Sequence, residues 1–280
     1  MRFLATALLL TATLAQADDR PLRFSVVDSW AMPLAQIENG ELTGGILFEL
    51  FNETARELGR TPAFHIVPRA RIEQALLTHS VDVRCYVSRT WIEHEFKDYR
   101  WTAPLMLQRD LLVVRDAPAE NLETLPSQSI GTVLGYHYPR LQPLLDSHWL
   151  IRDDARNQEL VLKKLRIGRY QYAISSEFAL NWFNRDLPEA ERLRTASVIE
   201  ETPLSCMVLD APEVRAEEVL SVLAKIKRRG RSSRSWITTA ETGSARQAAR
   251  RAIFQAPKWS GPASHTPAHN VPALAASFRT

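Results

Sequence analysis

The chain has 280 residues, of which 45% are hydrophobic, enough for a sizeable core in one or two domains. It has a net charge of +3 and a pI near 9.0. Residues 231–280 contain seven Lys or Arg and one Asp or Glu, whereas the first 230 residues contain 28 basic and 31 acidic groups. The basic character therefore belongs to the last fifty residues, and we expect no nucleic-acid partner.

The N-terminal residues have the pattern of a secretory signal peptide. Met1-Arg2 is followed by an apolar run that ends at Leu14, and Ala15-Gln16-Ala17 has the small-x-small form of a cleavage site. The run is shorter than the ~20 apolar residues that a membrane span needs. We predict a signal peptide over residues 1–17, a mature chain from Asp18 and a periplasmic location.

The first mature segment alternates between predicted strands and helices. Leu22–Val27 reads as a strand, Asn39-Gly40 as a turn, and Phe64–Val67 as a second strand. Helical spacing indicates two helices between the strands. The residues at that spacing are Leu47, Leu50, Phe51, Thr54, Ala55 and Leu58 in the first, which stops at Gly59, and Ile72, Ala75 and Leu76 in the second.

A third strand begins at Val81 and leads into the charged, aromatic segment that ends at Pro104. Its apolar residues alternate with polar ones. The apolar set is Val81, Val83, Cys85 and Val87, and the polar set is Asp82, Arg84, Tyr86 and Ser88. Such a strand delivers polar groups to a small-molecule site or is half-buried with a solvated end. Strand–helix–strand–helix–strand is the order of a parallel α/β sheet.

The second half repeats this alternation of elements. The predicted strands are Asp110–Val114, Ser129–Gly135, Trp149–Arg152, Tyr170–Ser175 and the returning strand Ser205–Leu209. Tyr136-His137-Tyr138 is expected at the head of a helix. Two further helices contain Val161, Leu162 and Leu165, and Val219, Val222, Leu223 and Ile226. From Gly230 onward the apolar periodicity stops, and residues 231–280 read either as a disordered tail or as out-of-frame translation.

An ordered set of segments resembles the family 3 extracellular solute-binding proteins, the polar-amino-acid type of periplasmic binding protein. ENGELTGGILFELFNETARELG at residues 38–59 resembles the family's "NGxLxGFDxDL" opening. Val81-Asp82-Val83 resembles its "DV" strand, and residues 101–105, WTAPL, resemble its "xFSxPY" segment. Order and spacing match over about residues 22–230.

The resemblance implies an α/β fold of the type II periplasmic binding protein kind, with two lobes, two hinge strands and a ligand cleft between the lobes. The first lobe is expected over 18–107 plus 203–230 and the second over 108–202. Closure of the lobes on a ligand is a hinge motion. The implied function is capture of a small polar or anionic solute for an ABC-type importer. We expect a monomer that meets a membrane permease, with no cofactor, no metal and no catalytic residues.

The resemblance also implies which positions of this chain meet the ligand. Trp30 occupies the place of an aromatic after the first strand, Asp28 precedes it, and Arg69 stands where a second aromatic is usual. The end of the third strand offers hydroxyl and backbone groups. In the second lobe, Tyr136 and His137 match a helix N-terminus whose free N–H groups hold a carboxylate in the family, and Ser176 lies at a strand end. The expected ligand-binding residues are Asp28, Trp30, Arg69, Arg84, Tyr86, Ser88, Arg89, Tyr136, His137, Ser176 and Glu177.

Two positions depart from the family pattern. In the family an arginine binds the α-carboxylate of the ligand, and the matching position of this chain holds His94 or Glu95. The family's acidic residue that binds the α-ammonium group is replaced here by Ser176, with Glu177 beside it. Arg69, Arg84 and Arg89 are candidates for a displaced cation. A standard α-amino acid is therefore a doubtful ligand, and an organic anion or an aromatic, modified or peptide-like solute is the expectation.

Two other classes of protein use the same fold. A sensory binding module would dock on a membrane receptor, and a dehydratase-like enzyme would need an acid–base pair. His137 with Glu177, or His94 with Glu93 or Glu95, are the pairs available. No nucleophile motif, metal-ligand spacing or phosphate loop is present in the sequence, and we expect no enzyme.

Cys85 and Cys206 are the only two cysteines. An even pair in a secreted chain favours a disulfide, and buried free thiols are the alternative. In the fold that the resemblance implies, the returning strand lies beside the third strand, so we predict a Cys85–Cys206 disulfide.

Overall fold

A computed structural model describes residues 20–92, 94–118 and 120–229. The signal peptide and the tail after residue 230 lie outside the described residues and stay predictions. The strands are β1 (Leu22–Val27), β2 (Gln36–Glu38), β3 (Glu41–Gly44), β4 (Pro62–Val67), β5 (Val83–Val87), β6 (Tyr99–Trp101), β7 (Met106–Val114), β8 (Gln128–Val133), β9 (Leu150–Ala155), β10 (Tyr172–Ser176) and β11 (Arg194–Leu209). The helices are α1 (Ile46–Glu57), α2 (Ile72–Leu77), α3 (Gln142–Asp146), α4 (Gln158–Arg166), α5 (Glu177–Asn184) and α6 (Ala216–Arg229).

The first part of the chain forms the parallel arrangement that the alternation of elements predicts. β1 pairs in parallel with both β4 and β5. The Asn39-Gly40 turn joins β2 and β3, two short strands that the sequence pattern missed, and both turn residues have positive φ. We call the part of the molecule built on β4, β1 and β5 the first lobe.

The second part is a sheet of β7, β10, β8 and β9, which we call the second lobe. β10 pairs antiparallel with β7 and parallel with β8, and β8 pairs in parallel with β9. β11 has 16 residues and pairs antiparallel with β5 of the first lobe and with β7 of the second. It is far longer than the predicted strand Ser205–Leu209. The residue boundaries of the lobes stay a prediction.

Each lobe has its own buried apolar residues. One cluster joins β1, β5, α1 and α6 and is centred on stacked Phe24 and Phe51, whose ring centroids are 4.4 Å apart. In the second lobe two clusters cover the two faces of the sheet, because successive apolar residues of β7 point to opposite sides. Among the described residues, no helix is both long and apolar enough to cross a membrane.

The expected helix head at Tyr136 is wrong. Residues 134–135 form a turn closed by the Tyr136 N–H, which donates to the Val133 carbonyl at 3.1 Å, and α3 begins only at Gln142. Pro139 explains the delay, because a proline disfavours helical geometry in the residue before it. Tyr136 is therefore presented by a loop and not by a helix N-terminus.

The predicted disulfide is confirmed. Cys85 of β5 and Cys206 of β11 lie directly opposite each other in the antiparallel ladder, with their Cα atoms 3.9 Å apart. Both are fully buried, and 121 residues separate them in sequence. The bond joins the middle of the first-lobe sheet to the strand that both lobes share.

Asp82, which the alternation assigned to a polar face, is fully buried. Its carboxylate accepts hydrogen bonds from the Arg23 backbone N–H at 2.8 Å and from the guanidinium groups of Arg23 at 2.6 Å and Arg20 at 3.0 Å. These bonds join the start of β5 to β1. A buried carboxylate is stable only with partners of this kind.

We predict that Asp82→Asn lowers the free energy of unfolding by about 2–3 kcal/mol, because the charge-assisted bonds to two arginines are lost. Asp98→Asn is the matched control, since the Asp98 side chain is exposed and its carboxylate faces His79 at 3.4 Å. It should change stability by less than about 0.5 kcal/mol. Urea unfolding measures both, and equal losses would contradict the structural role of Asp82.

Candidate functional site

A β-bulge turns Tyr86 out of the regular strand. Cys206 pairs with Cys85 and Ser205 pairs with Val87, so Tyr86 is an extra residue without a partner in β11. Its φ of 58° lies in the left-handed region, which side chains other than glycine seldom adopt. Such residues occur mostly where the surrounding structure holds them for a function.

Tyr86 lines two small adjoining cavities where the two lobes meet. Each offers about 30 Å³ to the centre of a water molecule. One is lined by Trp30, Arg69, Tyr86, Trp91, Gln108, Asp110, Tyr136, His137 and Tyr138. The other is lined by Trp30, Ala31, Met32, Pro33, Leu34, Tyr86, Gln108, Tyr136, Gln158, Ser176, Phe178 and Ala179.

The walls of these cavities are aromatic. Trp30 meets Tyr86 edge to face, with ring centroids 5.9 Å apart, and Trp91 lies 6.3 Å from Tyr86. Tyr136 faces them from the second lobe. Trp30 is only 6% exposed and also belongs to the first-lobe core, so its replacement would remove packing as well as a cavity wall.

A series of hydrogen bonds joins the first lobe to β7. The Tyr86 hydroxyl donates to Gln108 Oε1, and the Gln108 amide donates to Asp110 Oδ1 at 2.7 Å. Gln108 and Asp110 follow each other at a spacing of two on β7 and therefore point to the same side of it. This series fixes the orientation of both β7 side chains at the cavity.

Arg69 reaches from the first lobe to the second. Its Nε donates to the Gly135 carbonyl at 3.4 Å, and its guanidinium carbon lies 5.4 Å from the centre of the Tyr136 ring. Its backbone N–H donates to Asp28 Oδ1 at 3.3 Å. Gly135 has a φ of 72°, a left-handed geometry that glycine adopts without strain.

Arg152 holds the loop that carries Tyr136. Its guanidinium donates to the Tyr136 carbonyl at 3.1 Å and to the Val133 carbonyl at 2.7 Å, and it also pairs with Asp154 at 2.9 Å. Tyr136 lies in a loop and not in a helix, and the bonds from Arg152 hold that loop in position.

Arg84 is a buried cation with no acidic partner among the residues that the structure describes. It is 4% exposed, and its Nη1 has no hydrogen-bond partner there. Burial and, to a smaller extent, the positive charge of Arg69 lower the pKa of the guanidinium to about 9, whereas Tyr136 acts in the opposite direction. Arg84 does not line the cavities itself but places a positive charge behind Arg69 and Tyr136.

The acidic group of the site is Asp110. Burial raises the pKa of its carboxyl to about 7, the hydrogen bond from Gln108 opposes this rise, and Glu200, opposite it on β11, adds to it. Burial also raises the pKa of the Tyr86 and Tyr136 hydroxyls, so both stay protonated donors. The site therefore combines two guanidinium groups with one weakly acidic carboxyl.

The structure brings most of the predicted ligand-binding residues together. Trp30, Arg69, Tyr86, Tyr136, His137 and Ser176 line the cavities, and Asp28 and Arg84 lie beside residues that do. The other three make different contacts. Ser88 caps a short 3₁₀ turn by accepting from the Thr90 N–H, Arg89 lies 4.5 Å from the centre of the Trp101 ring, and Glu177 lies 3.5 Å from Arg109. A ligand role for all eleven stays a prediction.

Gln108, Asp110 and Trp91 are cavity residues that the sequence interpretation missed. Gln108 and Asp110 precede the apolar run Leu111–Val114, at the spacing that shares one strand face. Two polar residues on the inner side of a strand that becomes fully buried are the signal that could have identified them.

The acid–base pairs expected for an enzyme are not assembled in the described residues. His94 Nδ1 lies 2.8 Å from Glu73 on the surface, His137 lines a cavity, and Glu177 contacts Arg109 instead of His137. Glu93 lies outside the described residues. The described part of the chain also contains no group of three His, Cys, Asp or Glu residues placed to hold a metal ion.

Solved structures share this architecture. An ancestral arginine-binding protein bound to arginine has a TM-score of 0.60 and 18% identity, over 75% of this chain and 93% of that one. The GluR0 ligand-binding core from Nostoc punctiforme in complex with L-glutamate has a TM-score of 0.57 and 13% identity, over 75% of this chain and 94% of that one. The chain has the two-lobe fold of the periplasmic binding proteins.

The B. pertussis BvgS periplasmic domain has a TM-score of 0.60 and 17% identity, and the match covers 80% of this chain and 43% of that one. No protein-family model matches the sequence. No curated protein matches it either. At these identities the likeness establishes the fold, which confirms the predicted fold class, and the function has to be argued from the cleft.

We predict that Asp110→Asn removes a pH dependence of stability between pH 5 and 7. The folded-state pKa of about 7 lies above the ordinary value of 3.8, so the folded state holds the proton more tightly than the unfolded state. Wild-type stability therefore falls as pH rises through this window, because ionisation is easier after unfolding. Unfolding by denaturant at several pH values measures the effect.

Asp153→Asn is the control for this experiment. Hydrogen bonds from Lys164 and Arg169 lower the pKa of the Asp153 carboxyl, so it is ionised throughout the window in both states. Its variant should keep the wild-type slope between pH 5 and 7. A slope that persists in Asp110→Asn would show that another group is responsible.

Proposed function

We propose that this protein is a periplasmic solute-binding protein that captures a small polar or anionic solute between its lobes and delivers it to an ABC-type importer. The observation that carries the proposal is Arg84, a buried guanidinium without an acidic partner among the described residues. Burying an unpaired charge is costly, so a site that keeps one is suited to a ligand that supplies the opposite charge.

The charges around the cleft support an anionic group on the solute. Arg69 and Arg84 contribute two positive charges. The acidic groups are Asp28, which accepts from the Arg69 backbone N–H, and Asp110, which has a pKa raised to about 7 and is only partly ionised at neutral pH. A carboxylate at this end would accept charge-assisted hydrogen bonds from guanidinium groups. The aromatic rings of Trp30, Tyr86 and Tyr136 suit a planar or apolar body beside that charge.

Lobe movement is part of the proposal because of the size of the cavities. Space of about 30 Å³ holds one or two water molecules, so a solute requires the lobes to separate. The contacts that would part are those of Arg69 with Gly135 and Tyr136. β7 and β11 are the strands through which the lobes would hinge.

The neighbours in fold support binding over catalysis. One is an arginine-binding protein, one is the substrate binding protein of an amino acid ABC transporter, and one is a ligand-binding core with L-glutamate. We propose that this chain likewise binds its solute without turnover, as a monomer in the periplasm, with no cofactor. A membrane permease would be its partner.

A sensory role is the second candidate function. The likeness to the BvgS periplasmic domain favours it, because the match covers 43% of that chain and the fold there is one part of a larger protein. Neighbouring genes separate the two roles, since genes for a permease and an ATPase would accompany an import protein. A neighbouring receptor gene without them would favour sensing.

A thermal-shift screen tests the proposed binding. Small mono- and dicarboxylates, phosphorylated metabolites and amino acids of all charge types would be added singly to the purified protein. A ligand that binds only the folded state raises the melting temperature with its concentration. We expect carboxylates or other anions to raise it and cationic solutes to leave it unchanged. Stabilisation by cations alone would refute an anionic ligand.

We predict that Arg84→Gln weakens binding of the anionic solute found in this screen by about 10- to 100-fold, because the positive charge behind Arg69 and Tyr136 is lost. The same variant should keep or raise the melting temperature of the ligand-free protein, since an unpaired buried charge is removed. Isothermal titration calorimetry and thermal unfolding measure the two effects.

Arg89→Gln is the matched control, because Arg89, like Arg84, is absent from the cavity walls but places its guanidinium over the Trp101 ring. It should leave affinity unchanged. A large loss of stability in Arg84→Gln, with affinity intact, would identify Arg84 as a structural residue.

Arg69→Ala should weaken binding of the same solute as well. Its effect on the free energy of unfolding should be small, since Arg69 is only half-buried.

A further inference from the structure

The disulfide and the bulge are adjacent features of one ladder. Cys85 precedes Tyr86 on β5, and Cys206 is the β11 residue at which the register shifts. The cross-link therefore fixes the pairing of the two strands at the position where the extra residue is inserted. Since a bulge depends on an unequal residue count in two strands, fixing the register on one side restricts where it can form.

Cys206 is also held from its other side. Its backbone N–H donates to Thr102 Oγ1 at 2.9 Å, and its carbonyl accepts from the Thr102 N–H at 2.9 Å. The half of the cross-link that belongs to β11 is thus fixed to the segment after β6. Because β11 is held in place at Cys206, the disulfide also restrains Cys85 of β5 and the next residue, Tyr86.

Two other register shifts in β11 provide a comparison. They place Ala196 and Ile199 as extra residues opposite β7. Neither residue has a positive φ, neither lines the two cavities, and neither adjoins a cross-link. Among the described bulges that involve β11, the one beside the disulfide is the one that forces a bulky side chain into left-handed geometry.

We propose that the Cys85–Cys206 disulfide is a positioning element of the ligand cleft, which holds Tyr86 in its bulged conformation so that its ring and hydroxyl face Trp30 and Gln108. The left-handed backbone of Tyr86 costs free energy, and the cross-link supplies a restraint against its relaxation. The inference rests on the proposed function only for the statement that the cleft binds a ligand. The geometry of Tyr86 can be tested without one.

The experiment uses the full chain labelled with ¹³Cζ-tyrosine. The protein contains six tyrosines, so six resonances are expected and can be assigned from Tyr→Phe variants. In the wild type, the Tyr86 phenol should resist ionisation when pH rises through 10, because burial raises its pKa. In Cys85→Ala/Cys206→Ala, the Tyr86 resonance should shift and the phenol should ionise near its ordinary pKa of about 10.

Ile226→Ala serves as the control for a general loss of stability. Ile226 is a buried α6 residue of the same lobe, so its replacement should lower the melting temperature and leave the Tyr86 resonance in place. If the alanine pair does not fold, Cys85→Val/Cys206→Ala fills the space of the disulfide and is measured instead. An unchanged Tyr86 resonance and titration in the folded cysteine variant would overturn the proposal.

A second measurement separates two effects of the disulfide: holding Tyr86 in the folded protein and restricting the unfolded chain. Tyr86→Gly accepts the left-handed φ without strain. If the disulfide holds a strained Tyr86, its removal relieves that strain only in the wild-type background. Removal should therefore lower the melting temperature less in the wild-type background than in the Tyr86→Gly background. Equal losses in both backgrounds would show that the bond acts only on the unfolded chain and would also overturn the proposal. Neither measurement depends on whether a solute is ever found.

Discussion

The backbone pairing of β11 is the constraint on which the rest of this structure depends. One strand of 16 residues pairs antiparallel with β5 in the first lobe and with β7 in the second. Each sheet would otherwise have an exposed edge with unpaired backbone groups at the junction. Because the same strand completes both, the lobes meet along a defined line, and side chains from both sheets converge there.

This arrangement explains why the polar residues of the cleft come from distant parts of the sequence. Tyr86 stands at the end of β5, Gln108 and Asp110 stand on β7, and Tyr136 stands in the loop after β8. The hydrogen bonds from Tyr86 to Gln108 and from Gln108 to Asp110 run from the first lobe to β7 of the second lobe. A polar series of this kind in a half-buried site holds its members in one orientation, because each loses a partner if it turns away.

The electrostatics of the cleft differ from those of the chain as a whole. The first 230 residues carry a small net negative charge, yet two guanidinium groups and one weakly acidic carboxyl are concentrated at the lobe junction. The buried carboxylate of Asp82, by contrast, accepts bonds from the guanidinium groups of Arg20 and Arg23. Asp82, a buried carboxylate with two arginine partners, belongs to the scaffold. Arg84, a buried arginine with no acidic partner among the described residues, marks the site.

Local patterns in the sequence predicted much of the scaffold. The alternation in Val81–Val87, the helical spacing in α1, α4 and α6, and the Asn39-Gly40 turn predicted elements that the structure contains, since each depends on neighbours a few residues apart. The ordered resemblance to a known family predicted the two-lobe fold and the Cys85–Cys206 pair.

What the sequence alone determined was therefore the order of strands and helices, the fold class and the residue types available to a site. Only the tertiary structure decided that β11 extends through both sheets, that Asp110 and Gln108 face the cavity, that Asp82 is buried while Arg84 has no acidic partner in the described chain, and that Tyr86 is bulged. These features depend on which strands become neighbours and in which register. Local periodicity carries no information about pairing between residues a hundred positions apart.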